Sequence, residues 1–253
     1  MPEPIAYHSA VHALEGQAGW TPERRFASAV LHAIDGHLPY ARFVAAGIAR
    51  QEEGISHAAV ERRVRACLAT DVNPLIGLFG GLHQAGSLRA AFHTYQSACG
   101  GLPAMPLPSL CRTSIDAWLS AMLEGRVAPQ RSVTALATLL GLEDSAAADV
   151  ARVFEREGSM PVAEVAARLG CQRRTLERQL QRMGVSAEAI RQACRLAQAA
   201  LQLGDSVSLT RIAIHAGYAD TPHMARAFRR AAGLPPSALR RMLKADSMLR
   251  DGA

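Results

Sequence analysis

One pattern occurs twice in the last third of the chain, and it limits the fold more than any other feature. The first copy is Val165-Ala166-Ala167-Arg168-Leu169-Gly170, followed by Thr175-Leu176-Glu177-Arg178-Gln179-Leu180. The second is Ile212-Ala213-Ile214-His215-Ala216-Gly217-Tyr218, followed by His223-Met224-Ala225-Arg226-Ala227-Phe228. Each reads as a short helix, a glycine turn and a second helix, because apolar residues recur at helical spacing on both sides of the glycine. In the first unit Val162, Val165, Ala166 and Leu169 face inward before the turn, and Leu176 and Leu180 after it. In the second, Met224 and Phe228 are the inward residues. Residues 186–203 read as a helix joining the units, capped by Ser186 and apolar at Ile190, Ala193, Ala197 and Leu201. Two helix-turn-helix units on one connecting helix suggest a chain that reads DNA, with the remainder controlling the reader.

Charge follows the same division. Residues 160–245 carry 14 Arg and Lys against 5 Asp and Glu, whereas residues 1–159 carry 13 against 15. A localised basic region is the footprint of a phosphate-backbone binder. It is also what a solvated basic face looks like, so charge alone does not decide. Lys244 is the sole lysine of the chain. Arginine suits forked recognition of phosphate and guanine.

Other classes find little support. No apolar run reaches membrane-spanning length, and the N-terminus lacks the basic-then-apolar pattern of a secretory signal. The five cysteines (67, 99, 111, 171 and 194) are scattered and read as reduced thiols of a cytoplasmic protein. Sensing of oxidants by Cys67, Cys99 or Cys111 would need exposure and a depressed pKa. Gly77-x-x-Gly80-Gly81 lacks the flanking strand and Lys-Ser/Thr of a phosphate loop. His32 and His37, and His83 and His93, lack a third ligand in sequence, so no metal site and no cofactor is expected. No catalytic site is found.

Upstream of the repeat the pattern is helical. Thr21-Pro22-Glu23 opens a helix with Phe26, Val30 and Ile34 on one face. Further helices read at 40–50, from Ser56 with Val60, Val64 and Leu68, and from Ser87 with Leu88, Ala91, Phe92 and Tyr95. Three more are expected around Trp118, from Ser132, and at 146–156. Gly100 to Pro108 holds three prolines in six residues and reads as a loop or hinge. Residues 1–20 read as an irregular start, and no convincing strand precedes residue 159.

The order and spacing of the C-terminal residues resemble the DNA-binding domain of the AraC/XylS family of bacterial transcription regulators. The resemblance rests on Val165-Ala166-x-x-Leu169-Gly170, Thr175-Leu176-x-Arg178, Gly184-Val185-Ser186, Arg195-Leu196-x-x-Ala199, Ile212-Ala213, Gly217-Tyr218, Ala225 to Arg230 and Gly233 to Arg240. It covers about residues 145–244. It implies seven helices, with two reading helices held in successive major-groove segments about 34 Å apart. Carried over by position, it implies base contacts from Arg174, Glu177 and Arg178, and from Thr221, His223 and Arg226. Arg173, Arg182, Arg229, Arg230 and Arg240 fit phosphate contacts instead. This chain departs from the family pattern at Cys171, where Ser usually caps, and at Pro222, Met224 and Leu239. Those at Pro222 and Met224 weigh against base reading by the second unit.

A weaker resemblance links the N-terminal part to an arabinose-binding-like sensor. It rests on Phe43 to Ile48, Asn73 to Leu78 and Ala85 to Tyr95, and fades after about residue 103. The expected organisation is therefore all-α: a helical sensor or dimerisation domain (1–108), a helical linker (109–144), the DNA-binding domain (145–245) and a flexible tail (246–253). Expected partners are double-stranded DNA and RNA polymerase, with an effector or protein partner at the N-terminal domain and a homodimer as further expectations; no membrane is expected. The expected function is a sequence-specific regulator, an activator by the family resemblance. The alternative is an interaction module carrying a degenerate reader.

Overall fold

The computed structural model of the chain describes residues 5–79, 82, 85–98, 107–124 and 132–251. Gly80, Gly81, His83, Cys99 and the Pro-rich stretch 100–106 lie outside the described residues. The first half contains β1 (Ile5–Tyr7), α1 (His8–Glu15), α2 (Pro22–Ile34), β2 (His37–Pro39), α3 (Tyr40–Glu52), α4 (His57–Ala69), α5 (Pro74–Phe79), α6 (Ala85–Ala98) and α7 (Ser109–Leu123). The second half contains α8 (Val133–Leu139), α9 (Ala146–Glu157), α10 (Val162–Arg168), α11 (Arg173–Arg182), α12 (Ala187–Leu201), α13 (Leu209–His215), α14 (Thr221–Ala232) and α15 (Pro236–Asp251). The fold is all-α, and α9 to α15 supply the seven helices expected of the C-terminal domain.

Several helix starts follow directly from sequence. The Thr21 hydroxyl accepts from the Arg24 amide at 3.3 Å, and Pro22 stands in the first turn, where its missing N–H costs nothing. Ser56, Ser132, Ser145, Ser186 and Ser208 cap their helices the same way. The helix read as starting at Ser87 starts instead at Ala85, and the buried Ser87 hydroxyl has no hydrogen-bond partner among the described residues. Residues 246–251, read as a tail, continue α15.

The N-terminal start is the largest departure from the sequence reading. Residues 8–15 form a helix, not an irregular lead-in, and every residue from His8 to Leu14 is buried. A helix buried on all sides shows no polar stripe, so its period is hidden. A strand pair also exists: Tyr7 pairs with His37, Ala6 with Leu38 and Ile5 with Pro39, antiparallel. At three residues each, these strands are too short for alternation to be read in the sequence.

Two hydrophobic clusters hold the molecule together. One gathers α1 and α3 to α7 around Phe43, Leu68, Phe79, Leu110 and Trp118, and it extends into the second helix-turn-helix through Ile212, Met224 and Phe228. The other joins Phe26 and Val30 of α2 to Leu136, Phe154, Val165, Leu176 and Leu180 around the first helix-turn-helix. The connecting helix α12 enters both, with Ile190 and Ala193 in one and Leu196 and Ala199 in the other. Helix α2 packs on α12 and α14, and α5 packs on the same two helices. The N-terminal half is thus built onto the back of both units. Helix α7, read as the start of a linker, packs on α1, α3, α4 and α6.

Candidate nucleic-acid interface

Gly170 and Gly217 make the two turns. Both hold positive φ, +66° and +77°, a region costly for residues with a side chain. They are not equivalent. A Cβ on Gly170 would meet nothing within 4 Å, whereas one on Gly217 would lie 2.9 Å from Ser159 Cβ and 3.2 Å from Arg195 Nε. The Gly217 carbonyl also accepts from the Arg195 guanidinium, whose carbon lies 5.6 Å from the Tyr218 ring centroid. The second turn is therefore fastened to α12 as well as bent.

Helix α11 buries Leu176 and Leu180 and exposes Arg173, Arg174, Glu177, Arg178, Gln181 and Arg182. One pair is internal, Arg173 Nε to Glu177 Oε1 at 2.7 Å, four residues apart on the helix surface. Arg174, Arg178 and Arg182 form no ion pair among the described residues. Three unpaired guanidinium groups on one exposed helix give the forked donors that guanine edges and phosphates accept. The N-cap is Gln172, one residue beyond the expected Cys171, and no side chain caps this helix. Arg182 sits at the C-terminal end of α11, on the rim of a surface cleft shared with α2.

Helix α14 is capped by Asp220, whose carboxylate accepts from the His223 amide at 2.6 Å. Pro222 falls within the first turn, where a helix has no use for that N–H. Met224 and Phe228 are fully buried, which accounts for Met224 as a core residue. The outward residues differ in freedom. His223 is half-buried, edge-on to Tyr218 at 5.3 Å, not exposed as expected. Thr221 is half-buried and lies 3.4 Å from the Thr210 hydroxyl. Arg226 and Arg229 are exposed. Arg230 is exposed too, but its guanidinium binds Asp35 at 3.0 Å, beyond the end of α2. Arg240 is half-buried and donates to the Leu203 carbonyl at 3.2 Å.

A clamp missed in the sequence reading ties the N-terminal half to the second unit. The buried Asn73 side chain donates through Nδ2 to the Ala231 carbonyl at 2.7 Å and to the His32 carbonyl at 2.8 Å. Its Oδ1 accepts from the Leu75 amide at 2.9 Å and opens α5. Gly36 lets the same carbonyl approach, because a Cβ there would lie 2.1 Å from Ala231 O. The only sequence trace of this clamp is Asn73-Pro74 itself, a turn signal that says nothing of its partner 158 residues on.

Of the cysteines weighed as oxidant sensors, Cys67 and Cys111 lie among the described residues, and both are buried. Burial pushes the Cys67 thiol up to about 12 and the Cys111 thiol up to about 11. Neither meets the conditions for an oxidant sensor. Among the described residues no helix is long and apolar enough to cross a membrane.

Together, two amphipathic helix-turn-helix units and a basic outward helix define a DNA-reading domain. Residues 165–242 match the family described as a helix-turn-helix domain. The match covers the C-terminal helix-turn-helix region alone and supports a DNA-binding transcription regulator. No curated protein and no solved structure matches the chain.

Proposed function

We propose that the chain is a sequence-specific regulator whose two reading helices enter successive major-groove segments, with α11 supplying most of the discrimination. The observation that carries this is the exposed, unpaired set Arg174, Arg178 and Arg182 on α11, set against a second unit with fewer free groups. There Thr221 and His223 are half-buried and Arg230 is held by Asp35. In this reading Arg174, Glu177 and Arg178 meet base edges, and Arg226 adds one contact from α14. Arg173, Arg182 and Arg229 grip phosphates. Activation through RNA polymerase follows the family resemblance. The N-terminal half is the regulatory part, since it holds the backs of both units through α2 and α5.

The test begins with recovery of genomic fragments bound by the full chain, followed by mobility-shift titration of one such fragment against random duplex. The regulator predicts saturable binding, steep in salt and tighter on the recovered fragment. Absence of binding at low salt would favour an interaction module with a degenerate reader.

A further inference from the structure

Three histidines that are far apart in sequence meet at the junction of α1 and α2. His8 and His12 are four residues apart on one face of α1, and His32 reaches them from α2. One ring nitrogen from each lies within 4.8 Å of the others. His8 stacks on His32 with ring centroids 4.5 Å apart, and His12 Nε2 lies 2.9 Å from His32 Nε2.

The hydrogen bonds around the cluster fix where its lone pairs point. His32 Nδ1 lies 3.1 Å from the Asp35 carbonyl, which only accepts, so Nδ1 carries the proton. His12 Nδ1 lies 3.1 Å from a Glu15 carboxylate oxygen, an acceptor that Arg42 holds at 2.5 and 2.9 Å. Its proton also sits on Nδ1. In neutral rings that donate through Nδ1, the two Nε2 atoms that face each other at 2.9 Å both carry lone pairs. His8 Nε2, the third nitrogen, is buried, forms no hydrogen bond among the described residues, and lies 3.2 Å from Asp71 Oδ2, with which it pairs when protonated. Neutral imidazoles oriented by a carboxylate or a carbonyl on the far nitrogen are the usual ligands of a transition metal.

We propose that His8, His12 and His32 bind a divalent transition ion of the zinc type, which acts as the effector of the DNA reader. Tetrahedral Zn–N bonds of about 2.05 Å set ligand nitrogens about 3.3 Å apart. The His12–His32 pair would open slightly and His8 would move inward. Asp71 is the nearby carboxylate that offsets the ion's charge. A cavity of about 20 Å³ adjoins His8 and His12, and His12 and His32 also line the surface cleft that runs to Arg182 and Gly184 at the end of α11. The ion therefore has a route from solvent. It would tie α1 to α2, the helix that packs on α12 and α14. The effector role rests on the DNA-binding reading; the site does not.

The metal-free full chain is titrated with Zn²⁺ by calorimetry and with Co²⁺ by its visible absorption. One tightly bound equivalent is expected, with a cobalt spectrum of nitrogen and oxygen ligands and no thiolate band. His32→Gln, at the partly exposed member, is expected to weaken binding by more than ~100-fold, since losing even an outer partner costs about 10–100-fold. His12→Gln is expected to do the same, and the exposed His93→Gln to leave binding unchanged. Zinc is also expected to shift DNA affinity in the wild type and not in His32→Gln. Absence of binding in the micromolar range, or binding by His32→Gln and His12→Gln as tight as that of the wild type, overturns the site. Binding without any shift in DNA affinity overturns the effector role alone. Metal binding by a chain that fails to bind DNA would overturn the regulator reading and leave the site standing.

Discussion

Replacing Asn73 by Ala removes three hydrogen bonds from a closed environment. The Ala231 and His32 carbonyls lose their 2.7 and 2.8 Å donor, and the Leu75 amide loses its 2.9 Å acceptor. Asn73 itself is only 2% exposed, so water does not readily replace them. A net hydrogen bond contributes about 0.5–1.5 kcal/mol, and a buried group left bare costs about 1–3 kcal/mol. Each carbonyl keeps its helical or turn geometry, which puts the expected total near 3 kcal/mol, toward the lower end of that sum. Asn73→Asp separates the two roles. It keeps the acceptor for Leu75 but turns a carboxylate on two carbonyls beside Asp71, so it should destabilise at least as much as Ala. Urea unfolding of the full chain reads both as shifts in midpoint at constant slope. The variants should also loosen the second unit, so their affinity for a recovered DNA site should fall more than their affinity for a site contacted by α11 alone. A loss below about 0.5 kcal/mol for Asn73→Ala, within the range of ordinary surface changes, would refute the clamp.

Other consequences follow from the same contacts. Gly36→Ala places a Cβ 2.1 Å from Ala231 O and 2.5 Å from Asn73 Nδ2, so it should cost about 1–3 kcal/mol in urea unfolding, as overpacking does. Arg178→Ala should lower affinity for a recovered site by about 1–3 kcal/mol and relax preference at one base pair, while Arg182→Ala weakens all sequences alike; competition binding against single-base variants separates the two. His37, against Tyr7 and Tyr95, is pushed down to about 4 by burial, against a carbonyl of Arg230 and with Asp35 and His8 nearby. Between about pH 6.5 and 4 the unfolded chain takes up a proton that folded His37 refuses, so stability should fall as pH drops through that window. His37→Gln should flatten that slope in pH-dependent unfolding.

The C-terminal reader was legible because its helices lie half in the core. Leu176 and Leu180, or Met224 and Phe228, stand out at helical spacing against polar neighbours, and glycine marks each turn. Helix α1 was illegible for the opposite reason. His8, Ser9 and His12 are polar letters in a helix buried on every side, and no stripe distinguishes them from a frayed end. The strand pair escaped because three residues cannot show alternation. The contacts between the N-terminal half and the second unit escaped because they are long-range. Asn73 to Ala231 and Arg230 to Asp35 span 158 and 195 residues, and no local pattern encodes them. The histidine cluster failed the sequence test for the same reason. His32 was weighed beside His37, its neighbour in the chain, whereas its partners in space are His8 and His12. Among the proposed reading residues, the exposed arginines of α11 fell where the helical period put them. The half-buried state of His223 depends on Tyr218 across the turn, which spacing alone does not reveal.

The central claim is that α11 reads sequence, and one ratio tests it. Fluorescence anisotropy of the full chain on a recovered site and on random duplex, at one fixed salt concentration, gives the specificity ratio. The account predicts a preference of at least about 10³-fold for the recovered site, and its collapse toward unity when Arg174 and Arg178 are both replaced by Ala. A ratio near unity in the wild type, or one that the double replacement leaves unchanged, would contradict it.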